Sequence, residues 1–197
     1  MDGVRQPEGT KGSLKWIQIA VNDCPQVLNR AIAQATGIEV PVTWKSPLRQ
    51  EGFAEYRDAA FLRQLDCKHL ETALAEFWPQ RGPQWDGLAI TGSTRLLVEA
   101  KSHIAEIFSP PSKAGETSRA QIIKALGETA DFLGANPPVP WGAYFYQLTN
   151  RLAHLWFLRR NGVDAKLILL NFLDDKEQGG PVAVAEWEAA YHVASHV

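Results

Sequence analysis

The chain has 197 residues, 45% of them apolar and 21% charged, an ordinary globular composition that excludes a disordered or collagen-like chain. Its length fits one domain with a core that needs no staples. Twenty basic against 22 acidic residues leave a formal charge of −2, so any nucleic acid meets a local patch and not a polybasic tail. The two cysteines, Cys24 and Cys67, form no CxxC and no Cys/His metal spacing, which argues against a disulfide framework or structural zinc and fits a reducing, cytoplasmic setting. No run approaches the roughly 20 apolar residues of a membrane span. The polar segment 1–15 does not read as a signal peptide.

In chain order, residues 1–13 read as a flexible N-terminal tail, and 14–197 as a single α/β domain. Residues 15–22 (KWIQIAVN) alternate and are β-branched, the pattern of a strand. A helix follows, entered near Asn22 or Asp23, with Pro25 in its first turn and Gly37 at its end. Residues 36–50 carry Pro41 and Pro47 and read as strand fragments and loop. Helical patterns cover 53–65 and 69–78, the second stopped by Pro79. Residues 79–84 form a hinge-like loop before a hairpin, WDGLAI and RLLVEAK, with Gly92-Ser93 as a two-residue type II′ turn. Beyond a Pro-rich loop, Ser118 and Gln121 have capping-box spacing for a helix, broken again at 136–140. A long helix over 143–160 ends at Gly162, and 167–173 (LILLNFL) reads as a buried strand. A last helix runs to Val197 without a cap, the pattern of a chain cut within a helix. This succession predicts a mixed sheet flanked by helices.

The hairpin carries the chemistry. With Gly92 and Ser93 as the turn, Asp86 stands directly across from Glu99. Alternation then puts Asp86, Leu88 and Ile90 on one face with Leu97, Glu99 and Lys101. Two facing carboxylates repel, so a cation belongs between them. Lys101 is one candidate; a divalent metal such as Mg²⁺ is the other. Three other [DE]-x-K triplets, at 66–68, 164–166 and 174–176, lack a facing acid on a neighbouring strand. The plain alternative is a charged hairpin edge that blunts aggregation.

Asp86, twelve intervening residues and then Glu99-Ala100-Lys101 at a strand end resemble the PD-(D/E)xK nuclease superfamily, over roughly residues 53–173. The resemblance implies a restriction-endonuclease-like mixed β-sheet core flanked by helices and a metal-dependent nuclease, with DNA as its substrate and a homodimer left open. It implies Asp86, Glu99 and the Ala100 backbone carbonyl as ligands of Mg²⁺ or Mn²⁺, with Lys101 holding the attacking water. It also implies an acid from the first core helix, for which Glu55 is preferred to Glu71, and a helical glutamine against the site, matched by Gln147. The chain departs from the pattern in having Trp85 where a proline is common. It also lacks room in 79–84 for a strand before the aspartate strand, a place that 15–22 or 41–45 would fill.

On the helix over 143–160, Phe145, Leu148, Leu152, Leu155 and Trp156 form an apolar stripe. Beside it run Gln147, Asn150, Arg151 and His154, with Arg151 suited to bidentate phosphate binding. Lys113, Arg119, Lys124, Arg151, Arg159 and Arg160 make a modest cationic patch, enough for a short phosphate footprint. Trp85 is expected on the opposite hairpin face, beneath the site, and His103 as a structural histidine. His69, His192 and His196 show no partners in sequence. Two other functions remain open: a nuclease-fold protein that binds nucleic acid or a protein partner without cutting, and a metal-free interaction protein in which Asp86, Glu99 and Lys101 form an ion cluster.

Overall fold

A computed structural model describes residues 3–38, 41–135 and 140–195. Residues 136–139, within the break read at 136–140, and His196 lie outside the described residues. Among these residues four strands form one sheet: β1 (Thr43–Ser46), β2 (Gly87–Thr91), β3 (Thr94–Lys101) and β4 (Ala165–Asn171), in the spatial order β1-β2-β3-β4. The first three are antiparallel neighbours, and β4 lies parallel to β3. Among the described residues seven α-helices flank the sheet: α1 (Gly12–Asn22), α2 (Pro25–Thr36), α3 (Asp58–Gln64), α4 (Glu71–Phe77), α5 (Glu116–Leu133), α6 (Tyr146–Arg160) and α7 (Val184–Ala194). The mixed α/β class is therefore as the sequence predicts. A parallel β3–β4 pair demands a crossover, which α5 and α6 supply.

The hairpin follows the expected register, with Gly87 opposite Val98 and Thr91 opposite Thr94. Gly92 has a φ of 54° and Ser93 is not among the residues of positive φ, as a type II′ turn requires and a type I′ turn does not. α2 also matches: Pro25 opens it, and Gly37 closes it at a φ of 69°, its N–H bonded to the Ala33 carbonyl.

The predicted strand over 15–22 is instead most of α1. Its alternation misleads because Ile17 and Val21 also stand four apart, on one helical face. That face packs on Ala89, Leu96, Val98 and Ala100, so tertiary burial overrides β-propensity. The sheet position before the aspartate strand is filled by Thr43–Ser46. The helix read from 53 begins only at Asp58; residues 55 and 56 are extended and form single bridges with Val4 and Trp85. α5 starts at Glu116, so Ser118 lies inside its first turn and does not cap it. Gln121 instead donates to the carbonyls of Ala75 and Glu76, tying α5 to α4. β4 is an edge strand and mostly half-buried, not the fully buried strand its apolar run predicts.

α1 and α2 cover one face of the sheet. On the other, Leu88 and Leu97 pack with Phe61, Phe77, Trp85, Phe157 and Leu158 from the remaining helices and loops. Among the described residues no helix is long and apolar enough to cross a membrane.

Candidate functional site

The site forms where the hairpin ladder ends. The register continued past Gly87 puts Asp86 across from Glu99. Asp86 Oδ2 accepts the Ala100 N–H at 2.7 Å. The Ala100 side chain packs on the α1 face, leaving its main chain beside both carboxylates. Burial, then the charges of Glu99 and Glu55, push the Asp86 carboxyl well above the usual carboxylate range, although the Ala100 N–H and Lys101 oppose this.

Glu99 and Lys101 are buried. One Glu99 oxygen accepts from Lys101 Nζ and the other from Arg151 Nε at 2.6 Å. Lys101 Nζ also donates to Gln147 Oε1 at 3.2 Å, so the α6 glutamine reaches the lysine of the hairpin. Glu99, Lys101 and Gln147 line one small pocket with Leu169 and Tyr191. Tyr191 was not singled out by sequence; its hydroxyl donates to Asn171, and burial first, then Glu99 and Glu106, push it up to about 12.

α6 inverts its expected amphipathicity. Asn150, Arg151 and His154 are buried, whereas Leu148, Leu152, Leu155 and Trp156 are half-buried. The stripe misleads because this sheet face ends in charges, so the helix must bring polar groups to meet them. Arg151 is therefore not a phosphate-binding surface residue. Besides Glu99, it donates to the Gln84 carbonyl at 2.8 Å and to Asn150 Oδ1 at 2.9 Å, with its guanidinium 4.8 Å from the Trp85 ring centre. Trp85 does lie beneath the site, but in the core on the α6 side and not across the sheet. His154 is enclosed by Phe61, Phe77, Trp78 and Trp85; its Nδ1–H donates to the Asn150 carbonyl, and burial holds its pKa down to about 3.

Glu55 reaches the site from the extended segment before α3. Its Oε2 accepts from Gln84 at 2.6 Å and Gln6 at 3.2 Å. Burial leads in raising its pKa, with Glu99 adding to the rise and Gln84 and Arg151 opposing it. Glu71 is instead engaged by Arg63 at 2.7 Å near the surface. Residues 4–9, read as a loose tail, lie along this wall: Val4 exchanges main-chain hydrogen bonds with Glu55, and Gly9 N–H donates to Gln18. Gln6 and Gln84 carried no sequence signal, since neither stands in a periodic element.

The cationic patch shrinks once Arg151 is removed from it. Lys124 and Arg160 both pair with Glu128, and Arg160 stacks on Phe77 and Trp156. Lys113 and Arg119 remain exposed. His103 is structural: Glu106 accepts its main-chain N–H together with that of Ser102.

Among the described residues no three His, Cys, Asp or Glu side chains are grouped to hold a metal ion. The donors fitting a hard cation are two carboxylates, Asp86 and Glu99; Asp86 makes no ion pair among the described residues. The chain matches no family model, no curated protein and no solved structure.

Proposed function

We propose that the chain is a metal-dependent nuclease with the restriction-endonuclease-like core, hydrolysing phosphodiester bonds of nucleic acid, DNA foremost, with Mg²⁺ or Mn²⁺. The observation that carries this reading is Asp86 facing Glu99 at the ladder end, with Lys101 bonded to both Glu99 and Gln147. The sheet supports it as well, because β1 supplies the strand that the resemblance requires before the aspartate strand.

Asp86, Glu99 and main-chain oxygen at Ala100 would hold the ion, which when bound supplies positive charge at the phosphate and acidifies water. Lys101 is the group placed to hold the attacking water and to meet negative charge on the phosphate. Gln147 fixes the lysine head. Glu55, with its raised pKa, adds a carboxyl that can hold a proton beside the others. In the reaction the water oxygen bonds to phosphorus, one ester P–O bond breaks, and the departing oxygen takes up a proton.

A second reading has an observation in its favour. Glu99 already holds a cation on each oxygen, so the group could be a structural ion cluster. Cleavage of supercoiled plasmid and of linear single- and double-stranded DNA with Mg²⁺ or Mn²⁺, wild type beside Lys101→Ala, separates the two. Metal-dependent cutting lost in the variant is expected. Retention of DNA without cutting identifies an inactive binding protein, and neither metal response nor DNA binding leaves the ion cluster as architecture.

A further inference from the structure

We infer that the cleft between α3 and α4 is a binding site for a small planar nitrogen cation, an amidine or a guanidine, held by Asp58 and His154 beside Trp78. It stands apart from the hairpin site and does not depend on the reading above. The cleft has a volume of about 150 Å³, room for a benzene-sized ring, and its lining includes Asp58, Glu71, Leu74, Trp78, Pro79 and His154. Two observations carry the inference. The first is an unspent acceptor. His154 is 1% exposed, and its Nδ1–H donates to the Asn150 carbonyl at 2.8 Å, which leaves the Nε2 lone pair without a partner among the described residues. The ring stays neutral, because burial holds its pKa down to about 3. A buried acceptor left unsatisfied costs free energy, and a ligand N–H in the cleft supplies the missing bond.

The second is charge. Asp58 accepts the main-chain N–H groups of Arg81 at 3.1 Å and Gly82 at 2.8 Å, and its one ion pair among the described residues, with Arg57, is a long one at 3.9 Å. Its negative charge is therefore largely uncancelled, whereas both oxygens of Glu71 are taken by Arg63. Asp58 and Arg81 hold left-handed backbone, with φ of 52° and 67°, and the bond between them fixes the carboxylate in place. Asp58 Oδ1 and His154 Nε2 also lie on the same side of Gly82: a Cβ there would stand 3.2 Å from the first and 3.5 Å from the second. Two neighbouring acceptors, one of them charged, suit a flat cation with N–H groups on two arms. A carboxylate ligand would meet like charge, and an alcohol brings one donor and no charge. Trp78, which touches the His154 ring at 4.8 Å between centres, adds an aromatic surface for the cation.

The test is calorimetric titration of the full chain with benzamidine, beside benzyl alcohol and benzoate, which carry the same ring with a neutral or an anionic head. Wild type, Asp58→Asn, His154→Leu and Ala75→Leu are compared. Ala75 lines the cleft and is exposed, so a larger side chain there fills the space without disturbing the core. Benzamidine is expected to bind wild type at one site with a dissociation constant of about 1 mM or lower. Binding should weaken roughly tenfold in Asp58→Asn and Ala75→Leu and about fivefold in His154→Leu, and the two control compounds should bind wild type roughly tenfold more weakly than benzamidine. No saturable binding to wild type overturns the inference. Undiminished binding in either Asp58→Asn or Ala75→Leu places the ligand elsewhere and overturns it too. Benzoate or benzyl alcohol binding as tightly as benzamidine leaves an apolar cleft without cation recognition, which overturns the ligand class. Undiminished binding in His154→Leu removes His154 from the site. Should His154→Leu not fold, Asp58→Asn and Ala75→Leu decide.

Discussion

On β3, Leu96, Val98 and Ala100 point to one side of the sheet, while Leu97, Glu99 and Lys101 point to the other. Under α1 and α2 the first set packs with apolar side chains such as Ile17, Val21, Leu28 and Ile32. Each such side chain, once buried, contributes about 1.5–3 kcal/mol, and little there depends on exact geometry. Beneath α6 the second set begins the same way at Leu97 and then becomes charged. Burying charge is unfavourable unless every group finds a partner. The partners come from separate places: Gln147 and Arg151 on α6 for Lys101 and Glu99, and Gln84 in the loop before β2 and Gln6 near the N-terminus for Glu55 beside them. A face built on area tolerates change, whereas a face built on matched charges holds only as a set, and that second property is what a reactive site needs.

The contrast breaks most sharply at Glu99. Glu99→Ala would leave Lys101 and Arg151 buried without their shared counter-charge, a loss of about 3–5 kcal/mol in urea unfolding. The proposed DNA cleavage should vanish with it. On the opposite face Leu96→Ala opens a cavity and should cost about 3 kcal/mol, yet leave Mn²⁺ binding at wild-type strength. If Leu96→Ala weakened the ion as much as Glu99→Ala, the two faces would not be independent.

The same contrast decides what the sequence discloses. The hairpin register is legible because a two-residue Gly-Ser turn and strict alternation leave a single solution, and that alone aligns Asp86, Glu99 and Lys101. Gln147 is legible as a polar position on the long helix. What stays hidden is the sign of the α6 pattern. Apolar stripes mark the core only where the opposing surface is apolar, and here it ends in charges, so Arg151 turns inward with Asn150 beside it, while His154 turns inward among aromatic rings. α1 is hidden for a related reason, since β-branched residues four apart satisfy a helix face as well as a strand. Glu55 was legible as a residue but not in its setting, because its contacts come from Val4 and Gln6, fifty residues away and aperiodic.

A smaller effect separates the dry part of the α6 face from its charged end. His154 titrates near 3 in the folded chain against 6.5 unperturbed, because its aromatic surroundings exclude the charged form. Between these values the unfolded chain binds a proton that the folded chain does not. Stability is therefore present above pH 6.5 and lost as pH falls toward 3, by about 1.4 kcal/mol per unit. At pH 5 the loss is about 2 kcal/mol. Urea midpoints across pH 7 to 5 should show this slope in wild type, and His154→Leu should flatten it; an unchanged slope would mean that another group titrates there.

Asp86 carries the opposite sign. Its folded pKa lies above the ordinary 3.8, chiefly through burial and then through Glu99 and Glu55, so the folded chain keeps a proton that the unfolded chain has released. Its contribution is favourable below that window and is lost as pH rises through it. Above that window the ionised carboxylate is thus a destabilising group in the metal-free protein. Asp86→Asn removes that charge while its amide oxygen can still accept the Ala100 N–H. The variant should be more stable than wild type at high pH without metal, and its thermal midpoint should not respond to Mn²⁺, whereas wild type should gain with added ion. A residue that weakens the empty protein and strengthens the loaded one is kept for what it binds. Were Asp86→Asn less stable than wild type, the bond to Ala100 would be the purpose of Asp86, and the charged end of this face would be architecture like the apolar one.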